Sequence, residues 1–146
     1  MPLYHTDDQA MLADTVTGFI ADEGSIKKQL RRWRDENCKD GFGHDLWSRF
    51  AEMGLTGMLA GDADGGLGMG HVEAGIVLTE IGRNLTPSPF LTTSVMGVTA
   101  LSAASDDLRG RWLPGVIAGE TVLAIALDEG VRDARAWPER ADALVE

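Results

Sequence analysis

The sequence is poor in the residues that build disulfide scaffolds and metal clusters. Its single cysteine, Cys38, forms no internal disulfide, and the scattered histidines His5, His44 and His71 give no zinc-binding spacing. Positive charge is scarce too. Lys and Arg number 13 against 23 Asp and Glu, and the formal net charge of −10 repels phosphate backbones and anionic lipid headgroups. No apolar run approaches membrane-spanning length, and the start, with Tyr4, His5, Asp7 and Asp8, lacks the basic and apolar character of a secretion signal. The expected setting is therefore a soluble protein of the reducing cytoplasm, with no nucleic acid, membrane or metal among its partners. What is there suits one globular domain: 146 residues, 44% of them hydrophobic and 25% charged, enough to bury a core without staples.

Helical periodicity dominates the first 120 residues. Thr6 and Gln9 have capping-box spacing, and Leu12, Val16, Phe19 and Ile20 follow at helical intervals, which predicts a helix from Asp7 to Ala21. Beyond Gly24, the residues Ile26, Leu30 and Trp33 predict a short amphipathic helix beneath the charges of Lys27, Lys28, Arg31, Arg32 and Arg34. A third stripe, Leu46, Trp47, Phe50 and Met53, stops at Gly54, a suitable terminator. The apolar segment Leu55 to Ala60 has no helical stripe and leads into GDADGGLGMG, whose glycines mark a loop of unusual backbone angles. Ala74, Val77, Leu78 and Ile81 define a fourth helix, ended by Gly82 and Asn84. Pro87 and Pro89 bracket a turn before a nearly uncharged fifth helix, roughly Phe90 to Ala104, expected to be central. Asp106 is the expected cap of a sixth, with Leu108 and Trp112, broken or bent at Pro114 and closed by Gly119.

The period then changes. Thr121 to Leu127 reads as a buried strand and Ala143 to Val145 as a second. Two strands make no independent sheet, so this end reads as the start of a β-domain whose remainder is absent. The fold class is mainly α: an all-helical N-terminal domain of about six helices, residues 1–120, followed by the first strands of an incomplete β-domain, residues 121–146.

Local chemistry is sparse. The glycine loop lacks the Lys-Ser/Thr pair of a phosphate loop, because Leu67 and Gly68 follow Gly66, and Gly68, Gly70 and Glu73 fail the dinucleotide fingerprint. Asp62, Asp64 and Glu73 have calcium-loop offsets, but Leu67 occupies the position that needs glycine, so the loop is read as a connection between buried elements. The basic run with Trp33 offers phosphate contacts and stacking, but Asp35, Glu36 and Asp40 offset it, and a solvated helix face is the reading adopted. Cys38 is read as a packed or exposed thiol, His44 and His71 as surface or capping residues at helix starts, and Trp33, Trp47 and Trp112 as core. Asp128 and Glu129 are adjacent acids at a strand end, where neighbours point different ways. None of these features specifies a reaction by itself.

Three strings in order carry more: LWSRFAEMGLTGMLAGDADGGLGMG, VLTEIGRNLTPSPFL and RWLPGVIAGETVLAIALDEG. Together, over roughly positions 6 to 130, they resemble the N-terminal half of an acyl-CoA dehydrogenase. That resemblance implies a helical domain running into a small β-domain and then a second helical bundle. It implies FAD as cofactor, an acyl-CoA thioester as substrate, an acceptor like electron-transfer flavoprotein, and a homo-oligomer or partner chain. In such enzymes a carboxylate removes an α-proton while a β-hydride moves to the flavin, and the carboxylate comes from the C-terminal bundle. No catalytic residue is therefore named here, and the 146-residue chain by itself is expected to be inactive.

The family's flavin motif aligns with Leu127, Asp128, Glu129 and Gly130, so Leu127 and Asp128 are the implied cofactor-binding residues. Asp128 departs from the family's threonine, offering an acceptor-only carboxylate where a hydroxyl donates, and VRDAR replaces the usual glycine-serine continuation. The start of the fifth helix resembles the helix lining the acyl pocket, which makes Phe90, Leu91 and Ser94 the implied substrate contacts, with ordinary core packing as the alternative. A non-catalytic helical interaction module derived from the same family is the second reading.

Overall fold

The computed structural model describes residues 4–125 and the backbone of 143–145. In chain order the elements are α1 (Asp7–Glu23), a π-helical turn (Lys27–Arg31) running into α2 (Arg32–Asp35), α3 (His44–Glu52) and α4 (His71–Arg83). A π-helical segment (Phe90–Gly97) then runs into α5 (Val98–Ser102), followed by α6 (Asp106–Ile117), β1 (Leu123–Ile125) and β2 (Ala143–Val145). The chain is mainly helical, and β1 pairs in parallel with β2, Leu123 opposite Ala143 and Ile125 opposite Val145. The strand starts at Leu123, two residues after the expected Thr121, and its expected end at Leu127, with Asp128, Glu129 and Gly130 of the implied flavin motif, lies outside the described residues. The chain divides into two compact units, Met1–Leu46 with Gly70–Ser88, and Trp47–Met69 with Pro89–Glu146.

In the first unit, α1 starts at the capping box the sequence spells. Thr6 Oγ1 accepts from the Gln9 N–H at 3.2 Å, and the Thr6 N–H donates to Gln9 Oε1 at 3.1 Å. Two of the donors a helix start leaves open are thereby satisfied. α1 buries Val16 and Ile20 and packs on α4, which buries Ala74, Ile76 and Val77. The helix starts are also joined through side chains: Gln9 Nε2 donates to Glu73 Oε1 at 2.7 Å, while Glu73 Oε2 accepts the Gly70 N–H at 2.9 Å. The Gln9 amide first, and then the backbone N–H groups, hold the Glu73 carboxyl below its ordinary range.

The second helix departs from its predicted stripe. The Arg31 N–H donates to the Ile26 carbonyl, five residues back, so the turn is wider than α. The extra residue shifts the face: Gln29 is buried and Leu30 exposed, where the 3.6 period places Leu30 inside. The Gln29 amide is engaged at both its nitrogen and its oxygen, donating to the Glu23 carbonyl at 2.8 Å and accepting from Trp33 Nε1 at 2.7 Å. α4 ends at Asn84, after which Leu85 adopts φ 48° and the Thr86 N–H reaches the Ile81 carbonyl at 3.0 Å. That is the usual glycine closure made by a leucine. Thr86 Oγ1 donates to the Gly24 carbonyl at 2.7 Å, a buried tie between two chain reversals.

The second unit follows its glycines. Trp47 and Phe50 are buried on α3, and Gly54 ends it at φ 75°, with the Leu55 N–H on the Phe50 carbonyl at 2.9 Å. Leu55, Met58 and Ala60 are then buried in extended and turn conformation, and Thr56 Oγ1 donates to the Ile117 carbonyl at 2.6 Å. The glycine loop behaves as a connection: Gly65 and Gly68 take φ 83° and 60°, and a Cβ on Gly66 would collide with the Ala60 carbonyl oxygen. The cap of α6 is Ser105, not Asp106. Ser105 has the extended backbone a cap needs and its hydroxyl accepts from the Leu108 N–H, while Asp106 sits one residue inside, where its charge suits the helix start. α6 continues through Pro114 to Ile117, and Gly119 closes it at φ 75°. Ala60, Val98, Leu101, Leu113, Val116 and Leu123 form the core of this unit, with Trp112 packed against it.

Candidate functional site

The candidate site is the π-helical segment Phe90–Gly97 and the strand it holds, all within the second unit. Pro89 precedes the segment, and the Val98 N–H donates to the Thr93 carbonyl five residues back. Here the inward face is Phe90, Thr93, Ser94 and Gly97, each buried.

Phe90 meets the Phe50 ring edge to face, centroids 6.1 Å apart at 89°, and Phe50 in turn lies 5.9 Å from Trp47. This aromatic row walls the base of the segment. Thr93 does the most specific work: its Oγ1 donates to the Leu123 carbonyl at 3.1 Å and accepts from the Leu123 N–H at 3.0 Å. One hydroxyl thus bonds both backbone polar groups of the first residue of β1. Gly97 permits the approach, since a Cβ there would lie 2.8 Å from Leu123 Cδ1. Ser94 is fully buried, yet its Oγ has no hydrogen-bond partner among the described residues.

Of the three sequence-implied acyl contacts, Phe90 and Ser94 share the buried face. Leu91 is 50% exposed and does not join them. The implied flavin contacts Leu127 and Asp128 follow β1 directly but lie outside the described residues. Thr93 was missed by the sequence reading. Its signal was a pair of hydroxyl residues, Thr93 and Ser94, in the middle of an apolar helical run, where such side chains need a partner. No group of three His, Cys, Asp or Glu among the described residues could hold a metal ion, and none of their helices is long and apolar enough to cross a membrane.

The family described as "Acyl-CoA dehydrogenase, N-terminal domain" matches residues 6–120. The chain belongs to the acyl-CoA dehydrogenase family. Its helical part is that family's N-terminal domain, and the strand held by Thr93 begins directly after the matched region. Curated acyl-CoA dehydrogenases similar to it include FadE27 of Mycobacterium tuberculosis, 31% identical over 88 residues, covering 60% of this chain and 24% of that protein. IpdE2 of the same organism is 28% identical over 123 residues, covering 84% and 37%. Among solved structures, the ChsE4–ChsE5 complex from Mycobacterium tuberculosis matches with a TM-score of 0.76 at 26% identity, over 88% of this chain and 35% of that one. A variant of the Tcur3481–Tcur3483 steroid ACAD matches with a TM-score of 0.73 at 28% identity, over 83% and 32%. The matched stretch is thus between 24% and 37% of the length of these four acyl-CoA dehydrogenases.

Proposed function

We propose that this chain is the N-terminal part of a flavin-dependent acyl-CoA dehydrogenase, residues 1–120 forming its helical domain and residues 121–146 opening its β-domain. The reaction is α,β-dehydrogenation of an acyl-CoA thioester, with the α-proton going to a carboxylate that these 146 residues do not assign. FAD, when bound, takes up the β-hydride. The observation that carries the reading is the family match over residues 6–120 together with a strand pinned immediately after it.

The described residues fit such a cofactor in one respect: Thr93 fixes Leu123 from both sides, and Leu127 and Asp128, the residues proposed to hold the flavin, follow four and five positions on. Phe90 keeps water out of the acyl end of the site, and the unpartnered hydroxyl of Ser94 is a group that a bound thioester completes. Leu91, exposed in this chain, contacts the acyl group where another part of the assembled enzyme closes over it. One structural relative is a steroid ACAD, which favours a bulky, ring-bearing acyl group over a straight chain. Another is a complex, which favours a partner chain or second copy; an electron-transfer flavoprotein-like acceptor and a cytoplasmic location complete the proposal.

The test is the protein expressed from its native reading frame. Flavin absorbance, and oxidation of a steroid side-chain CoA ester faster than of a straight-chain ester with an artificial acceptor, are the expected results. A colourless, FAD-indifferent product would overturn the reading in favour of the non-catalytic interaction module, the alternative that the carboxylate at Asp128 supports.

A further inference from the structure

Two contacts, two residues apart, aim the chain into β1, and they come from different helical elements of the second unit. The first is at Thr121, whose N–H donates to the Gly115 carbonyl in the last turn of α6 at 3.0 Å. The approach is close, since a Cβ on Gly115 would lie 2.6 Å from Thr121 Oγ1. The second is at Leu123, where the Thr93 hydroxyl of the wide segment Phe90–Gly97 bonds the backbone N–H and carbonyl together. One contact fixes a place, and two fix a direction. β2 lies alongside β1, but a two-stranded pair is marginal by itself, so the helices decide where the pair sits.

Packing alone does not call for the Thr93 hydroxyl. The Leu123 side chain already belongs to the core with Val98, Leu101, Leu113 and Val116, and apolar burial is non-directional: it holds the residue inside but tolerates small rotations of its backbone. Hydrogen bonds weaken steeply when bent. With one oxygen bonded to both polar groups of Leu123, the backbone turns in neither direction without straining one of the two bonds. Thr93 is itself fixed from both sides, because its N–H donates to the Pro89 carbonyl at 2.8 Å and its carbonyl accepts from the Val98 N–H. The hydroxyl is thus an aiming device on a rigid mount.

Resting on the dehydrogenase reading, we propose that Thr93 is a positioning residue for the flavin. It acts through Leu123 rather than by contact with the cofactor, aiming β1 so that Leu127 and Asp128, four and five residues further on, meet FAD in place. An error of direction at Leu123 grows with every residue that follows. Loss of the hydroxyl therefore weakens FAD binding even where the fold is kept, which a purely stabilising hydrogen bond elsewhere in the unit does not do.

The experiment is titration with FAD, read by quenching of flavin fluorescence, of the protein expressed from its native reading frame, with three variants beside the wild type. Thr93→Val keeps the shape and removes the hydroxyl, whereas Thr93→Ser keeps the hydroxyl and removes a methyl. Thr56→Val removes a buried hydrogen bond of the same kind in the same unit, to the Ile117 carbonyl, that does not involve β1. Thr93→Val is expected to bind FAD about tenfold more weakly, and Thr93→Ser to recover most of the wild-type affinity. Thr56→Val is expected to lower the denaturation midpoint but to bind FAD as the wild type does. Wild-type affinity in Thr93→Val, no recovery in Thr93→Ser, or an equal loss in Thr56→Val would each overturn the proposal while leaving the dehydrogenase reading in place. A wild type that takes up no FAD overturns that reading, and the proposal with it, so the two failures are told apart.

Discussion

The two units are held by different means. The first is tied by polar side chains: Gln9 and Glu73 join the starts of α1 and α4, Gln29 joins Trp33 to the Glu23 carbonyl, and Thr86 reaches Gly24. The second keeps two such ties, Thr56 to the Ile117 carbonyl and Thr93 to Leu123, but adds close packing of glycines against apolar side chains, Gly57 on Ile117, Gly97 on Leu123 and Gly119 on Ala51, each at a distance that excludes a Cβ. Polar ties each contribute modestly, and the one through Glu73 responds to pH, whereas close packing fixes positions to a fraction of an ångström. The strand leading to the proposed flavin residues belongs to the packed unit, as positioning demands.

Breaking the packing should therefore cost most. Gly66→Ala places a methyl against the Ala60 carbonyl oxygen, backbone that cannot rotate away, and is expected to lower stability by about 3 kcal/mol, read as a fall in denaturation midpoint. Gly82→Ala is its control: nothing lies within 4 Å, the position is helical, and stability should rise by about 0.8 kcal/mol. Thr93→Val keeps the shape but leaves the buried N–H and carbonyl of Leu123 unpaired, with an expected loss of about 2 kcal/mol and faster amide exchange at Leu123.

The polar unit should show smaller losses. Gln29→Leu leaves the Trp33 indole N–H and the Glu23 carbonyl without this partner, at about 1 kcal/mol, visible as a shift in tryptophan fluorescence and midpoint. The smallest effect concerns Glu73. Its folded carboxyl titrates below the unfolded one, so the unfolded chain binds the proton first as pH falls. The contribution is present above the ordinary carboxylate range and is lost as pH drops through the lowered folded value. Glu73→Gln should flatten the fall in stability between about pH 5 and pH 3, measured by denaturant titration beside the wild type. An unchanged slope would remove Glu73 from the account.

Much of the helical outline was legible because it rests on neighbours in sequence. The box of Thr6 and Gln9, the stripe of Leu46, Trp47 and Phe50, and the glycine stops at Gly54 and Gly119 are local physics, and each stands where it was read. The errors share a cause. A period of 3.6 puts Leu30 inside, whereas the backbone makes a wider turn that exposes Leu30 and buries Gln29. Asp106 is a good capping residue by type, but so is its neighbour Ser105, and only backbone angles show that Ser105 is the cap. At the candidate site, Phe90 and Ser94 were named, but Thr93, which holds the strand, was not, since its partner lies 30 residues away.

The order and type of most elements and the switch from helix to strand after residue 120 follow from sequence alone, because propensity, capping and periodicity act over a few residues. The wide turns at Lys27–Arg31 and Phe90–Gly97, the exposure of Leu91 and the anchoring of Leu123 by Thr93 were decided by tertiary structure. Each depends on whether a distant group is present to satisfy a buried polar atom or to fill a space, and no window of neighbouring residues contains that information.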